Sequence, residues 1–145
     1  VDVSELGDDL DSWLQLIMTH CVEPALPKDT PVYIFDFPAS QAALAKIRHD
    51  APPIAERFEL YINGMELANG FHELTDANEQ RQRFESDNLK RQMMRKSAMG
   101  LDERLLEALP EMPECAGVAV GIDRLVMVAV GASAIDEVLG FVIDE

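Results

Sequence analysis

The fold is decided by one stretch near the end of the chain, Gly117-Val-Ala-Val-Gly-Ile-Asp-Arg-Leu-Val-Met-Val-Ala-Val-Gly131. Its small and β-branched residues predict a strand over 116–122, and its apolar run predicts a helix over 125–130 that stops at Gly131. Arg124 then lies where the strand passes into the helix, among backbone N–H groups without helical partners. Such a junction suits an anionic ligand, usually phosphate. The alternative is a buried strand–turn–helix whose arginine pairs with a neighbouring carboxylate.

Length and composition are those of one globular domain. The chain has 145 residues, of which 48% are hydrophobic, and this is enough for a sizeable core. It begins at Val1 without a signal-peptide pattern, so we expect a piece of a longer protein. Its apolar runs are shorter than the roughly 20 residues of a membrane-spanning helix. No membrane association is therefore expected.

Charge and cysteine usage narrow the function classes. Twelve Lys and Arg against 27 Asp and Glu give a net charge of −15, whereas a nucleic-acid-binding protein carries a basic surface. The dense basic run at 90–96 lies on a helix that also carries acids, so broad binding to tRNA or DNA is not expected. A zinc site is not expected, because Cys21, Cys115 and the histidines lack metal-ligand spacing. The two cysteines are far apart in the sequence, and we expect them to be reduced thiols of a cytoplasmic protein.

Periodicity and chain breakers predict the remaining elements. Steps of three and four between apolar residues indicate a helix over 9–21, capped by Asp8 or Asp9, with an apolar face that we expect to be packed. A strand follows over 31–37, and a short helix or ordered loop over 39–46. The later elements are a polar helix over 76–97 with a Thr75-Asp76 cap, a helix over 103–109, a helical turn over 135–139 and a strand over 140–143.

A β-hairpin is the clearest local signal. Asn63-Gly64 separates two alternating runs, Glu56–Ile62 and Met65–Glu73. A type I′ turn needs positive φ at both central positions, which Asn and Gly tolerate best. With these two residues in the loop, Glu59 and Glu66 become diagonal neighbours on one face, about 7–8 Å apart at Cα.

Two carboxylates at that distance can hold a divalent cation together with a bound phosphate, which is how Mg²⁺ is usually bound. The alternative is a solvated acidic strand face. Strict alternation places Asn69, Phe71 and Glu73 on the opposite face, unless a bulge near Gly70 turns Asn69 or Glu73 back.

Two separated motifs resemble the class II aminoacyl-tRNA synthetases. Residues 117–127 are similar to the third signature motif of these enzymes, in the form found in the lysyl group, and residues 57–59 and 66–74 are similar to the segment before it. The resemblance implies an α/β content of the α+β type: a mainly antiparallel sheet flanked by helices, incomplete here. Residues 1–145 would be the C-terminal part of the catalytic domain, without an anticodon-binding domain.

Within this group, residues 37–41 and 66–77 look most like the short relatives, the elongation factor P–lysine ligases. That resemblance implies ATP-dependent activation of lysine or (R)-β-lysine as an aminoacyl-adenylate. The acyl group would pass to a lysine of elongation factor P and not to tRNA. It also implies a cytoplasmic enzyme that uses ATP and Mg²⁺ and is a homodimer at full length.

The resemblance also implies roles at the phosphate end of the site. Arg124 resembles the catalytic arginine that holds the γ-phosphate of ATP. Glu59 and Glu66 resemble the carboxylates that bind Mg²⁺, and Glu66 and Leu67 resemble residues that contact ATP. Gly121 would let the backbone approach the nucleotide closely.

At the substrate end, Asn69, Phe71 and Glu73 resemble the amino-acid pocket, in which a carboxylate binds an ammonium group. Ala119 is a departure, because lysyl-tRNA synthetases usually have glycine at this position. A Cβ on the pocket floor changes where an α-amino group can lie, which favours a β-amino acid. A lysyl-tRNA synthetase fragment and a non-catalytic synthetase-like module remain alternatives, and both Ala119 and His72 weigh against the tRNA synthetase.

The 145-residue chain alone is expected to have negligible ATP–pyrophosphate exchange activity. The family's first motif forms the dimer interface, its second supplies an arginine for the α-phosphate, and neither is present in this sequence. In-line attack on that phosphate depends on positioning and charge stabilisation. Amino-acid-dependent exchange by this chain near the rate of an intact enzyme would contradict the expectation.

Overall fold

The computed structural model describes Gly7 and residues 9–142. Two predicted features lie outside these residues, namely the alternative cap at Asp8 and Ile143, the last residue of the expected strand 140–143. The helices are α1 (Leu10–Ile17), α2 (Ala77–Met93), α3 (Glu103–Ala108) and α4 (Ile122–Val130). The strands are β1 (Val32–Pro38), β2 (Ile47–Arg48), β3 (Ile54–Ile62), β4 (Met65–His72) and β5 (Ala116–Val120).

The strands form one open sheet in the order β1-β3-β4-β5, and β2 pairs with β3 off this path. β2 is antiparallel to β3, with Ile47 opposite Ala55 and Arg48 opposite Ile54. An antiparallel sheet combined with separate helices is an α+β arrangement. The expected fold class is therefore confirmed.

The hairpin is formed as expected, with β3 and β4 joined by Asn63 and Gly64. Both loop residues have positive φ, 55° for Asn63 and 75° for Gly64, as a type I′ turn requires. The Asn63 side chain has a second use, because its Oδ1 accepts a hydrogen bond of 2.6 Å from the backbone N–H of Asp29. The turn thus also anchors the segment that leads into β1.

Contacts divide the chain into two compact units. The first contains the described residues of Val1–Asp36, Phe58–Gly70 and Val118–Glu145, with α1, the hairpin turn and α4. The second contains Phe37–Arg57 and Phe71–Gly117, with α2 and α3. Its small core consists of Ala42, Ala45 and Ala55, against which Phe37, Ile47 and Phe71 pack.

Aspartates begin three of the helices. The Asp9 carboxylate accepts from the N–H of Ser12 at α1, and Asp76 accepts from two N–H groups at α2. Asp102 does the same at α3. A carboxylate at this position satisfies N–H groups that the helix leaves unpaired and interacts favourably with its dipole. The expected start of α2 is confirmed.

Three sequence predictions of boundaries or packing were wrong. α2 ends at Met93 and not near 97, since Arg95 has a left-handed φ of 56° that turns the chain. Residues 140–142 form no strand, and Phe141 is 97% exposed. No residue of α1, all of which is described, is buried. Periodicity identifies an apolar face, but it does not identify a surface that covers it.

The third motif also differs in detail. β5 ends at Val120 and α4 begins at Ile122, so Arg124 lies within the first helical turn and not before it. Gly121 is the N-cap: its backbone is extended, its N–H donates to the distant Leu67, and its carbonyl accepts from Leu125 N–H. Gly131 ends α4 with φ 72°, as expected. No helix in the described part of the chain is long and apolar enough to cross a membrane.

Gly64→Ala is expected to destabilise the fold by about 1–2 kcal/mol, because a Cβ is unfavourable in the left-handed region. Gly100→Ala is the matched control, since an added Cβ there meets no described atom within 4 Å and the backbone is not left-handed. Urea unfolding of the two variants measures the difference. Equal midpoints for Gly64→Ala and Gly100→Ala would contradict the assigned turn.

Candidate active site

Arg124 reaches from the first turn of α4 back to β4. Its guanidinium donates a hydrogen bond of 2.8 Å to the carbonyl oxygen of Glu66, and the same nitrogen lies 3.8 Å from Glu66 Oε2. The Arg124 side chain is 49% exposed. Because a guanidinium has five N–H donors, this bond orients the group and leaves further donors for an anion.

Backbone bonds fix the start of α4. Gly121 donates its N–H to the carbonyl of Leu67 at 2.8 Å, and its own carbonyl accepts from Leu125 N–H at 2.9 Å. Within the described residues, no side chain caps the first turn. The first N–H groups of a helix bind anions well. Arg124 and this helix end together therefore offer an anion-binding site, and their chemistry suits a phosphate.

Glu59 is a buried carboxylate on β3. The Glu59 residue is 8% exposed and Tyr61 is 4% exposed, and the Tyr61 hydroxyl donates a hydrogen bond of 2.7 Å to Glu59 Oε2. Burial raises the pKa of Tyr61 well above its ordinary range, and the bond to Glu59 raises it further. A buried carboxylate is costly unless it has partners, so this is not the solvated acidic face that the strand pattern alone allows.

A cavity of about 420 Å³ adjoins these groups in the first unit. Tyr61, Glu66 and Arg124 contribute to its wall, together with Glu23, Gly64, Met65, Met127 and Ile135. The wall therefore carries one cation, two carboxylates and a phenol beside apolar side chains.

The donor chemistry of Glu59 and Glu66 fits Mg²⁺, which is normally bound by one or two carboxylates with phosphate and water supplying the rest. Residues 9–142 and Gly7 contain no group of three or more His, Cys, Asp or Glu side chains placed to hold a metal by themselves. A site at these carboxylates would thus depend on a bound phosphate. Their role as metal ligands stays a prediction.

Glu73 and Phe71 belong to the second unit and have different surroundings. Phe71 packs against the alanine core. The Glu73 carboxylate lies directly over Gly117, where a Cβ would overlap with Glu73 Oε1. The Glu73 carboxylate thus occupies space that is open because Gly117 has no side chain. Any other residue at position 117 would displace the carboxylate.

Comparison with known proteins matches the chain to one family. The description "tRNA synthetases class II (D, K and N)" fits residues 20–145. The chain belongs to the class II tRNA synthetases. The family expected from residues 57–59, 66–74 and 117–127 is confirmed.

A curated relative is similar over nearly the whole chain. It is the elongation factor P–(R)-β-lysine ligase of Salmonella gallinarum, which is 51% identical over 148 residues. The alignment covers 99% of this chain and 46% of the relative. The chain therefore spans about half the length of the relative that it matches.

The structure places the predicted site residues in two groups. In the first unit, Glu66 and Arg124 meet, Leu67 and Gly121 meet, and Glu59 meets Tyr61. Asn69 is partly buried on β4 and Ala119 is exposed on β5, also in the first unit. Phe71 and Glu73 lie in the second unit.

Two positions at the candidate site had no role predicted from the sequence. Tyr61 lies two residues from Glu59 on β3, and strand alternation places the two side chains on one face, but it does not indicate a hydrogen bond between them. Gly117 gave no such signal, because its contact with Glu73 joins residues that are distant in the sequence.

Tyr61 is expected to remain protonated well above its ordinary pKa of 10.0. The pKa of Tyr61 is raised in the fold. The stability that protonated Tyr61 contributes to the fold is therefore fully present below the pKa of the unfolded chain, and it is lost as the pH rises above that value. Tyrosinate absorbance in a Tyr33→Phe variant, which leaves Tyr61 as the sole tyrosine, should change only as the chain unfolds. Ionisation near pH 10 in the folded chain would contradict the buried pair.

Proposed function

We propose that this chain is the C-terminal part of the catalytic domain of an elongation factor P–lysine ligase. The full-length ligase would activate lysine or (R)-β-lysine with ATP and transfer it to a lysine of elongation factor P in the cytoplasm. The 51% identity to a protein with that name supports the reaction class. The observation that carries the proposal is the orientation of Arg124 by the Glu66 carbonyl at the start of α4, where no side chain of the described residues caps the first turn.

The first unit would bind the phosphates of ATP. Arg124 and the N–H groups that begin α4 would hold the γ-phosphate, for which an arginine provides several oriented donors. Glu59 and Glu66 would hold Mg²⁺, which when bound neutralises charge that develops on the phosphates. Leu67 and Gly121 would contact the nucleotide, and the bond between them keeps these backbones in place.

Glu73 would bind the ammonium of the amino acid, since a carboxylate is the natural partner for that group. Asn69 and Phe71 are also proposed to contact the amino acid, and Phe71 is held by the core of the second unit. The exposed Ala119 would favour the β-amino acid, because its methyl group occupies space that glycine leaves open.

The reaction would take place in two steps. An oxygen of the amino-acid carboxylate attacks the α-phosphorus of ATP, a P–O bond forms, and the bond to pyrophosphate breaks. The uncharged amine of a lysine on elongation factor P then attacks the carbonyl carbon, AMP leaves, and the amine gives up a proton to form an amide. The chain's residues would bind, orient and stabilise charge in the first step.

The acceptor is proposed to be a protein because the net charge of −15 opposes tRNA binding. The full-length enzyme is proposed to be a homodimer, as is usual in the family. Mass spectrometry of elongation factor P tests the acceptor directly, after incubation with the full-length enzyme, ATP and either lysine isomer. Charging of tRNA with no modification of elongation factor P would identify a lysyl-tRNA synthetase instead.

Elongation factor P is expected to gain the mass of one lysyl residue. A larger fraction of it should be modified with (R)-β-lysine than with α-lysine. Arg124→Ala should reduce the rate of this gain by about 100-fold or more, since it removes charge stabilisation at the phosphates. Arg104→Ala, at an exposed position of α3, is the matched control and should retain the wild-type rate. Equal rates for the two arginine variants would contradict the assigned role of Arg124.

A further inference from the structure

The backbone around Glu73 is held from both sides. Its N–H donates to the carbonyl of Cys115 at 2.9 Å, on the approach to β5. On the other side, residue 73 forms a bridge with Ala45, and Lys46 N–H donates to the carbonyl of His72 at 2.8 Å. The position of the Glu73 carboxylate over Gly117 therefore depends on the segments 44–46 and 114–115.

The His72 ring connects carboxylates from two of the neighbouring segments. Its Nδ1 lies 2.7 Å from Glu56 Oε2 on β3, and its Nε2 lies 3.2 Å from Glu114 Oε1. Since carboxylates only accept, both bonds form together when both ring nitrogens carry hydrogen, as in the imidazolium. The His72 side chain is 29% exposed and that of Glu56 is 26% exposed, so solvent screens this pair only in part.

Glu114 is held by a second cation as well. Lys46 Nζ is 2.5 Å from the same Glu114 oxygen. The hydrogen bond to Lys46 lowers the pKa of Glu114, and the charges of Lys46 and His72 lower it further. Glu56 also pairs with Arg48, whose Nη1 lies 3.5 Å from Glu56 Oε1. Glu114 directly precedes Cys115, whose carbonyl binds the backbone of Glu73.

We propose that His72 is a positioning residue for the amino-acid substrate. By joining Glu56 to Glu114, it fixes the Cys115 carbonyl and so holds the Glu73 carboxylate over Gly117, where that carboxylate receives the ammonium group. The inference rests on the proposed function, because it assigns Glu73 to the substrate. His72 itself touches neither substrate nor nucleotide, so its loss should change substrate affinity and leave ATP binding intact.

A purely structural role makes a different prediction. Exposed ion pairs stabilise a fold weakly, and a general loss of order would weaken the binding of ATP and amino acid together. A positioning role weakens amino-acid binding selectively, which raises its KM with little change in kcat.

The test is ATP–pyrophosphate exchange by the full-length enzyme, with KM measured separately for (R)-β-lysine and for ATP. His72→Gln keeps a single side-chain amide in place of the two ring nitrogens and should raise the KM for β-lysine about three- to tenfold. Glu114→Gln, at a side chain that is 67% exposed, should do the same without harm to folding. In the double variant the effects should be less than multiplicative, because both act on one network.

His49→Gln is the matched control, since His49 is an exposed histidine of the same unit; both of its KM values should equal those of the wild type. An unchanged KM for β-lysine in His72→Gln and Glu114→Gln would overturn the inference, as would an equal rise for ATP and β-lysine. If the wild-type enzyme shows no exchange with either lysine isomer, the proposed function is overturned, and the inference with it.

Discussion

Two hydrogen bonds, donated from the start of α4 to consecutive backbone carbonyls of β4, organise the candidate site. Leu67 accepts from the N–H of Gly121, and Glu66 accepts from the guanidinium of Arg124, both at 2.8 Å. The first bond sets where the helix begins, and therefore where its unpaired N–H groups lie. The second orients a cation beside them. Because these bonds are made to backbone carbonyls, the hairpin turn at 63–64, which fixes β4, also fixes the anion site.

Electrostatics explains why such a site has to be built so specifically. The chain carries a net charge of −15, so its overall field repels a polyphosphate. The proposed site must overcome that repulsion locally, with the Arg124 cation, the start of α4 and the carboxylates proposed to bind Mg²⁺. The buried Glu59, paired with the Tyr61 hydroxyl, is costly for folding in itself. The Tyr61 side chain that binds Glu59 also contributes to the cavity wall, which favours a functional role for this carboxylate.

The sequence allowed the hairpin, the capped helices and the family to be predicted, because each depends on local chemistry. Asn63-Gly64 and Asp76 show this most directly. Features that depend on distant residues were misplaced or missed. The start of α4 is set by Leu67, the space at Gly117 is set by Glu73, and His72 joins residues 56 and 114. No local pattern encodes such contacts. The ligand roles of Glu59, Glu66, Asn69, Phe71, Glu73 and Ala119 remain predictions.

The most direct measurement is a crystal structure of the full-length enzyme with a non-hydrolysable ATP analogue and Mg²⁺. The account predicts that the γ-phosphate lies within hydrogen-bond distance of Arg124 while Arg124 still donates to the Glu66 carbonyl. It also predicts that Mg²⁺ is bound by Glu59 and Glu66. A γ-phosphate bound away from Arg124 would contradict the account. Mg²⁺ bound by neither Glu59 nor Glu66 would contradict it as well.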